Sequence, residues 1–291
     1  MPEVDPQLSD IVVFLAYWSG GEEVAGTAFL VTSPAAGWDR EAFPPDPVPR
    51  GMSEDDRRFW LVTARHVIDG IARANSDHDP RVLVWINTAA SGRTTYETKA
   101  SDWLCAVDEP GDGLLRDIAI LPFELRPEYS LRAFPIEASA TASRVEHARI
   151  HPGADVVYPS LFYSRPGGSR NTPLVRVGTL AALADPEEPF FIEAVAKDTV
   201  AHIVEARSYR GVSGSPVFAV LPPGRTFRDS TSEGTYMRMS TRGETYLLGV
   251  MATHWDLRAL ELESFGPLNL GLAAVMPVEL VIDEIEHHSS P

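Results

Sequence analysis

Short apolar or alternating segments, separated by turn-forming residues, recur along the whole chain and constrain its fold more than any other sequence feature. Segments of about 5–8 residues bounded by Gly, Pro, Asn and Asp are typical of strands. The 24 prolines and 21 glycines favour many turns over long helices. The pattern therefore predicts an all-β fold. The predicted strands are 11–17, 26–31, 60–63, 82–86, 118–122, 155–158, 174–177, 190–194, 217–220, 246–251 and 272–275.

One segment near the C-terminus has the periodicity of a helix. Pro277 suits the first helical position. After it, Val278, Val281, Ile282 and Ile285 follow the i, i+3, i+4, i+7 spacing of a single apolar stripe. A C-terminal helix is therefore predicted.

The strand-rich sequence divides into two units of similar size. A segment rich in Pro, Ser and Ala, 126–143, predicts a linker. It separates an N-terminal β-barrel at 1–125 from a C-terminal β-barrel at 144–276, and the helix and tail occupy 277–291.

Charge and cysteine content exclude several classes of protein. The chain has 25 Lys+Arg and 41 Asp+Glu residues, a net charge of −16. This opposes binding to nucleic acid, which needs a basic surface, and to an anionic membrane. With Cys105 as its single cysteine, the chain has no internal disulfide and no Cys-rich zinc site. Without a basic N-terminal segment or a signal-like apolar run, the expected location is cytoplasmic.

A serine flanked by glycines forms the sharpest local motif. Residues 211–216 read G-V-S-G-S-P and precede an apolar strand. In such a turn the backbone N–H groups of Gly211 and Ser213 could bind the oxyanion of a tetrahedral intermediate. The alternative is an ordinary Gly/Ser-rich turn.

Two further residues could activate a serine hydroxyl, which needs a base at neutral pH. His66 follows a predicted strand, and Asp117 opens another. A carboxylate can fix the tautomer of such a histidine and stabilise its charged form. The residues occur in the order His66, Asp117, Ser213, at intervals of 51 and 96 residues (117 − 66 and 213 − 117).

Three strings in this order resemble those of the chymotrypsin-like serine proteases. T-A-R-H-V at 63–67 resembles the histidine motif, and D-I-A-I-L at 117–121 resembles the aspartate motif. G-V-S-G-S-P-V-F at 211–218 resembles the nucleophile motif in its bacterial form, as in glutamyl endopeptidases and HtrA-type proteases. Weaker similarities lie at 173–178, 248–251 and 271–277.

The resemblance implies two antiparallel six-stranded β-barrels with a catalytic cleft between them. It implies that His66 and Asp117 come from the first barrel and Ser213 from the second. It also implies a serine endopeptidase that uses an acyl-enzyme and needs neither metal nor organic cofactor. The chain lacks an Ile-Val-Gly-Gly-like start, so activation through a new N-terminal amine is not expected.

The substrate pocket is less well defined by the sequence. Arg207, six residues before Ser213, is a candidate for the pocket floor and could bind an acidic side chain. Thr253 and His254 follow the strand expected to line this pocket. The same region contains three acidic residues, Asp256, Glu261 and Glu263. These could instead pair with Arg207 or favour a basic side chain, and the sequence leaves both preferences open.

Three functional hypotheses follow. The leading one is a cytoplasmic endopeptidase that cleaves protein or peptide substrates, with narrow specificity or activation by a regulatory protein partner. The long loops 33–56 and 221–244 are candidate control elements. The second is a protease-like scaffold that binds without turnover. The third, an esterase using Ser213, Asp256 and His254, lacks the β/α alternation of α/β-hydrolases.

Overall fold

The N-terminal half of the chain forms one curled, mainly antiparallel sheet. The computed structural model describes residues 6–35, 40, 56–74, 80–107, 112–192, 196–206, 211–231, 234–239, 243–257 and 268–289. The strands of the first sheet are β1 Val12–Trp18, β2 Glu22–Pro34, β3 Arg57–Thr63, β4 Arg81–Asn87, β5 Arg93–Lys99, β6 Leu104–Cys105, β7 Ala119–Phe123 and β8 Phe134–Pro135. They follow the order β5-β4-β1-β2-β3-β7-β6, and β8 pairs in parallel with β2.

The C-terminal half forms a closed six-stranded barrel in the order β10-β13-β18-β17-β14-β9. Closure leaves no unpaired sheet edge. Two hairpins extend from it, β11 with β12 and β15 with β16. The strands of this half are β9 Asp155–Ser160, β10 Leu174–Ala182, β11 Phe190–Ile192, β12 Lys197–Thr199, β13 His202–Glu205, β14 Pro216–Leu221, β15 Thr226–Thr231, β16 Gly234–Met239, β17 Glu244–Leu257 and β18 Leu268–Pro277.

Among the described residues, two α-helices lie between strands and a third follows the last strand. They are α1 Arg65–Ala74, α2 Ala142–Ala148 and α3 Val278–Ser289. Short 3-10 helices cover Pro6–Ile11, Ala100–Asp102 and Ile136–Ala138. In α3 the four residues of the predicted apolar stripe are buried, because they form one face of the helix against the core.

The two β units share apolar packing. The largest buried cluster includes residues of the first sheet, of the second barrel and of α3. At the contact, the Phe134 ring on β8 lies 5.0 Å from the Phe218 ring on β14, measured between centroids. Burial of this shared surface fixes the two units against each other, which is a requirement for any site built from both.

The predicted all-β, chymotrypsin-like class with a C-terminal helix is confirmed, with differences in detail. The second unit is a closed six-stranded barrel, as predicted. The first unit is a curled half-barrel sheet of eight strands and not the predicted six-stranded barrel. The segment after β3, for which the sequence analysis predicts no helix, is the ten-residue helix α1. The predicted strands 26–31 and 246–251 extend to β2 and β17, because their ends pair with neighbouring strands.

Within the described residues, no helix has the length and apolar character needed to cross a membrane.

Buried His202, at the start of β13, generates a prediction about stability and pH. Burial lowers the pKa of His202 from 6.5 to about 4. Since the unfolded chain binds this proton near pH 6.5 and the folded chain only near pH 4, stability falls as the pH is lowered through this window. Between pH 7 and pH 4, the wild type should lose about 3 kcal/mol more unfolding free energy than a His202→Asn variant.

The measurement is urea unfolding of both proteins at the two pH values. The asparagine side chain of the variant does not titrate, but it keeps an acceptor oxygen near the position of the imidazole Nδ1. An equal loss in the two proteins would contradict the assignment of this pH dependence to His202.

Candidate functional site

Asp117 binds both the backbone and the side chain of His66. His66 lies in the first turn of α1, where backbone N–H groups have no partner within the helix. Its N–H donates to Asp117 Oδ1 at 2.8 Å, and its Nδ1 lies 2.6 Å from Asp117 Oδ2. The Asp117 side chain is 7% exposed and that of His66 is 43% exposed. The carboxylate thus fixes the helix start and the imidazole orientation together.

This contact also determines the tautomer of His66. An ionised carboxylate only accepts hydrogen bonds, so Nδ1 must carry a proton when it binds Asp117. In the neutral ring, Nε2 then carries the lone pair. A half-exposed imidazole in this state can accept a proton from a nearby hydroxyl.

The segment that carries Asp117 is held by the second unit of the fold. Leu115 N–H donates to the carbonyl oxygen of Asp198 on β12 at 2.7 Å. In return, the Thr199 hydroxyl donates to the carbonyl oxygen of Leu115 at 3.0 Å. The β11–β12 hairpin therefore positions the approach to Asp117.

Ser213 lies on a tight turn that ends at β14. The turn contains two glycines with positive φ, Gly211 at 96° and Gly214 at 83°, a region that L side chains rarely adopt. Ser215 N–H donates to the carbonyl oxygen of Val212 at 3.0 Å. Gly214 N–H donates to the carbonyl oxygen of Met251 on β17 at 2.8 Å. The hydrogen bond from Gly214, the residue after Ser213, thus holds the turn against β17 of the barrel.

The backbone around Ser213 also lies against the chain next to His66. A Cβ atom added to Gly214 would lie 2.0 Å from the carbonyl oxygen of Thr27 and 3.2 Å from the amide nitrogen of Ala64. A Cβ added to Gly26 would meet both Val67 and the carbonyl oxygen of Ser213. Since Ala64 and Val67 bracket His66, the serine turn and the start of α1 are direct neighbours.

The Ser213 hydroxyl has a backbone partner. Its Oγ donates to the carbonyl oxygen of Ala252 on β17 at 3.2 Å. Both Ser213 and His66 belong to the described residues, and no hydrogen bond joins their side chains. The structure thus brings together His66 with Asp117 and places the Ser213 turn beside them, with the hydroxyl directed to Ala252.

Thr27, in the middle of β2, is a residue that the sequence analysis did not assign to the site. Its hydroxyl donates to the carbonyl oxygen of Gly211 at 2.8 Å and accepts from Leu161 N–H at 2.9 Å. Its backbone N–H donates to the carbonyl oxygen of Ser213 at 3.0 Å, and its carbonyl oxygen accepts from the Thr63 hydroxyl at 2.7 Å. The sequence offered one signal, a polar threonine inside the otherwise apolar predicted strand 26–31, and the structure shows this side chain to be fully buried.

The N–H groups proposed for the oxyanion are free within the part of the chain that the structure describes. Neither Gly211 N–H nor Ser213 N–H donates a hydrogen bond there. Because the carbonyl of Gly211 is bound by the Thr27 hydroxyl and that of Ser213 by the Thr27 amide, both residues are held through their acceptor sides. The two N–H groups thus lack a partner among the described residues, as binding of an oxyanion would require.

The predicted pocket residues have different outcomes. Arg207 lies outside the described residues. Thr253 lies on β17 opposite Ala274 of β18. It directly follows Ala252, whose carbonyl oxygen accepts from Ser213 Oγ. The backbone of His254 continues the same strand and pairs with Ala273.

Comparison with known proteins adds only distant structural likeness. The chain is similar to HBP in its atomic-resolution structure, with 13% identity and a TM-score of 0.49 over 99% of this chain and 96% of that one. It is similar to the thermostable serine protease AL20 from an extremophilic microorganism, with 11% identity and a TM-score of 0.47 over 98% and 99%. It is also similar to human heparin binding protein, with 12% identity and a TM-score of 0.46 over 99% of this chain and 96% of that one. No protein-family model matches the chain. No curated protein matches it.

The close approach at Gly214 predicts a large effect of one methyl group. Gly214→Ala should lower the unfolding free energy by about 1–3 kcal/mol from overpacking, in addition to the strain of a positive φ. Gly20→Ala is the matched control, because Gly20 has a similar φ of 72° with no atom within 4 Å of an added Cβ. Urea unfolding gives the loss of unfolding free energy in each of the two variants. Equal losses in the two variants would show that the contact with Thr27 is unimportant.

Proposed function

We propose that this protein is a serine endopeptidase that hydrolyses peptide bonds through an acyl-enzyme. One observation carries the proposal: the Asp117 carboxylate orients the His66 ring, whose Nε2 has no hydrogen-bond partner among the described residues, next to the turn that carries Ser213. The order and spacing of the three residues, noted from the sequence, support the same assignment. Ser213 is the proposed nucleophile, His66 the proposed base and Asp117 the residue that orients it.

In the proposed reaction, His66 Nε2 takes the Ser213 hydroxyl proton as Oγ attacks the scissile carbonyl carbon. The hydroxyl first turns from the Ala252 carbonyl to the imidazole, a rotation about one side-chain bond. The imidazolium then gives this proton to the leaving amine, and the acyl-enzyme forms. Water, activated by the same imidazole, hydrolyses the ester and restores the Ser213 hydroxyl. Asp117 stabilises the imidazolium throughout by its short contact with Nδ1.

The oxyanion of the tetrahedral intermediate would accept hydrogen bonds from Gly211 N–H and Ser213 N–H. Preorganised donors of this kind are worth most when they cannot rearrange during the reaction. The anchoring of both carbonyl groups by Thr27 supplies that rigidity. We therefore assign Thr27 as a positioning residue.

The remaining parts of the proposal concern substrate and setting. The substrate is a protein or peptide, recognised through a pocket that includes Arg207, Thr253 and His254, with either an acidic or a basic preferred side chain. We propose narrow specificity or activation by a regulatory protein partner in the cytoplasm. We also propose that the protease domain is of the glutamyl endopeptidase or HtrA type, on the likeness of its nucleophile motif at 211–218. The net charge of −16 opposes nucleic acid or anionic membrane as a partner.

A protease-like scaffold that binds without turnover is the second candidate. The observation that favours it is the Ser213 Oγ contact with Ala252 in place of one with His66. In that case the hydroxyl would stay bound to the backbone and would not be activated. The two candidates differ in the reactivity of Ser213.

A fluorophosphonate probe tests this reactivity. The wild type should be labelled at Ser213, whereas Ser213→Ala and His66→Ala should lose labelling, because nucleophile and base act as a unit. Peptidase kcat/KM should fall by about 10⁶-fold in these variants and by about 10⁴-fold in Asp117→Asn. His151→Ala, at an exposed histidine, is the control. An unlabelled wild type of native stability would support the scaffold instead.

Substitutions of Thr27 test the positioning role. Thr27→Val keeps the shape but loses the hydroxyl that binds Gly211 and Leu161. We expect kcat to fall by up to about 10²-fold with little change in KM, since the affected donors act on the transition state. Thr27→Ser keeps the hydroxyl and should retain most activity. A fall in stability with unchanged kcat in Thr27→Val would make the role purely structural.

A further inference from the structure

The loop between β9 and β10, residues 161–173, belongs to the second unit but is bound to the first. Ser160 pairs with Leu174, so the two ends of the loop lie at the base of one hairpin. Leu161, its first residue, is fully buried. The other buried members of its apolar cluster all come from the first sheet and are Phe14, Ala16, Val24, Leu83 and Trp85. The loop thus begins with a side chain inserted into the first unit.

Asn171, near the other end of the loop, is held to β4 by three hydrogen bonds, which we call the amide clamp. The residue is 2% exposed. Its Nδ2 donates to the carbonyl oxygen of Trp85 at 2.6 Å, and its backbone N–H donates to Asn87 Oδ1 at 2.8 Å. Asn87 Nδ2 donates in return to the carbonyl oxygen of Asn171 at 3.2 Å. One side-chain amide therefore satisfies both backbone groups of Asn171, as a neighbouring strand would.

Trp85 connects the amide clamp with Leu161. Its carbonyl oxygen accepts from Asn171, and its side chain belongs to the cluster that contains Leu161. The Arg93 guanidinium lies over the same indole, 3.6 Å from the ring centroid, and stabilises its orientation. Both ends of the loop thus depend on one residue of β4. Loss of the clamp would free one end and weaken the hold on the other.

Leu161 in turn contacts Gly211 in two ways. Its N–H donates to the Thr27 hydroxyl at 2.9 Å, and that hydroxyl donates to the carbonyl oxygen of Gly211 at 2.8 Å. Since the N–H of Leu161 occupies an acceptor position of the hydroxyl, the hydroxyl proton is left for Gly211. Two atoms of the Leu161 side chain also lie 3.1 Å from the position of a Cβ added to Gly211. Leu161 therefore restrains the residue that carries one of the proposed oxyanion donors.

We propose that the amide clamp positions the serine turn at Gly211 through Leu161 and Thr27, and thereby sets the geometry of the oxyanion site. None of its three bonds reaches the turn itself, so Asn87 and Asn171 are positioning residues and not catalytic ones. The catalytic consequence rests on the proposed peptidase function, whereas the coupling between loop and turn does not.

Amide hydrogen exchange, followed by NMR on the full chain, tests the coupling. Asn87→Ala removes two bonds of the clamp and Asn171→Ala removes one, while Ser169→Ala, at an exposed position of the same loop, is the control. The reporters are Leu161 N–H and Gly214 N–H, which is bound to the carbonyl oxygen of Met251. We expect both to exchange about tenfold faster in Asn87→Ala and about threefold faster in Asn171→Ala, with the amides of β7 and the control unchanged.

Steady-state kinetics of the same variants test the catalytic consequence. In Asn87→Ala, kcat should fall about tenfold with little change in KM, because displaced oxyanion donors affect the transition state more than substrate binding. Unchanged exchange at Gly214, or an equal increase at β7 from general destabilisation, would overturn the coupling. Faster exchange at Gly214 with unchanged kcat would overturn the positioning role. A wild type without peptidase activity or probe labelling would refute the proposed function alone, since exchange at Gly214 would still decide the coupling.

Discussion

The close contact between the serine turn and strand β2 is the constraint on which the site depends. At Gly214 the backbone of the second unit lies so near the carbonyl oxygen of Thr27 that no Cβ fits between them. Around this point, hydrogen bonds from Thr27 hold the carbonyl groups of Gly211 and Ser213. A residue of the first sheet therefore positions the backbone of the second barrel, and the shared apolar core keeps the two surfaces together.

Asp117 makes a similar connection on the side of the imidazole. One carboxylate oxygen accepts from the backbone of His66 and the other contacts its ring, so the orientation of the side chain is tied to the start of α1. The chain before Asp117 is bound in turn by Asp198 and Thr199 on the β11–β12 hairpin. Each unit thus positions functional groups that the other unit carries. Because of this mutual dependence, the site forms only when the two units pack against each other as they do in the structure.

The strands and the terminal helix were predictable because their patterns are local. The apolar runs at 155–158 and 217–220 reflect strands that are buried along almost their whole length, and the stripe of α3 reflects one buried face of a helix. Strand β5, with the sequence R-T-T-Y-E-T-K, has almost no apolar alternation and forms through its pairing with β4. Helix α1 was also missed, because only Val67, Ile68 and Ile71 are buried in it. Three apolar residues after a strand do not distinguish a helix from a turn.

By itself, the sequence determined which residue types could do chemistry here: a glycine-flanked serine, a histidine after a strand and an aspartate before one. Those assignments rest on short sequence motifs, because only residues that are neighbours in the chain can be recognised as a pattern without the structure. Only the tertiary structure decided that Thr27 binds Gly211, a contact across 184 positions of the chain. It also decided that the hydroxyl of Ser213 is directed to Ala252 and that the buried Nε2 of His202 has no hydrogen-bond partner among the described residues. The reason is physical: such contacts arise when distant segments pack against one another, and no local periodicity records which segments those are.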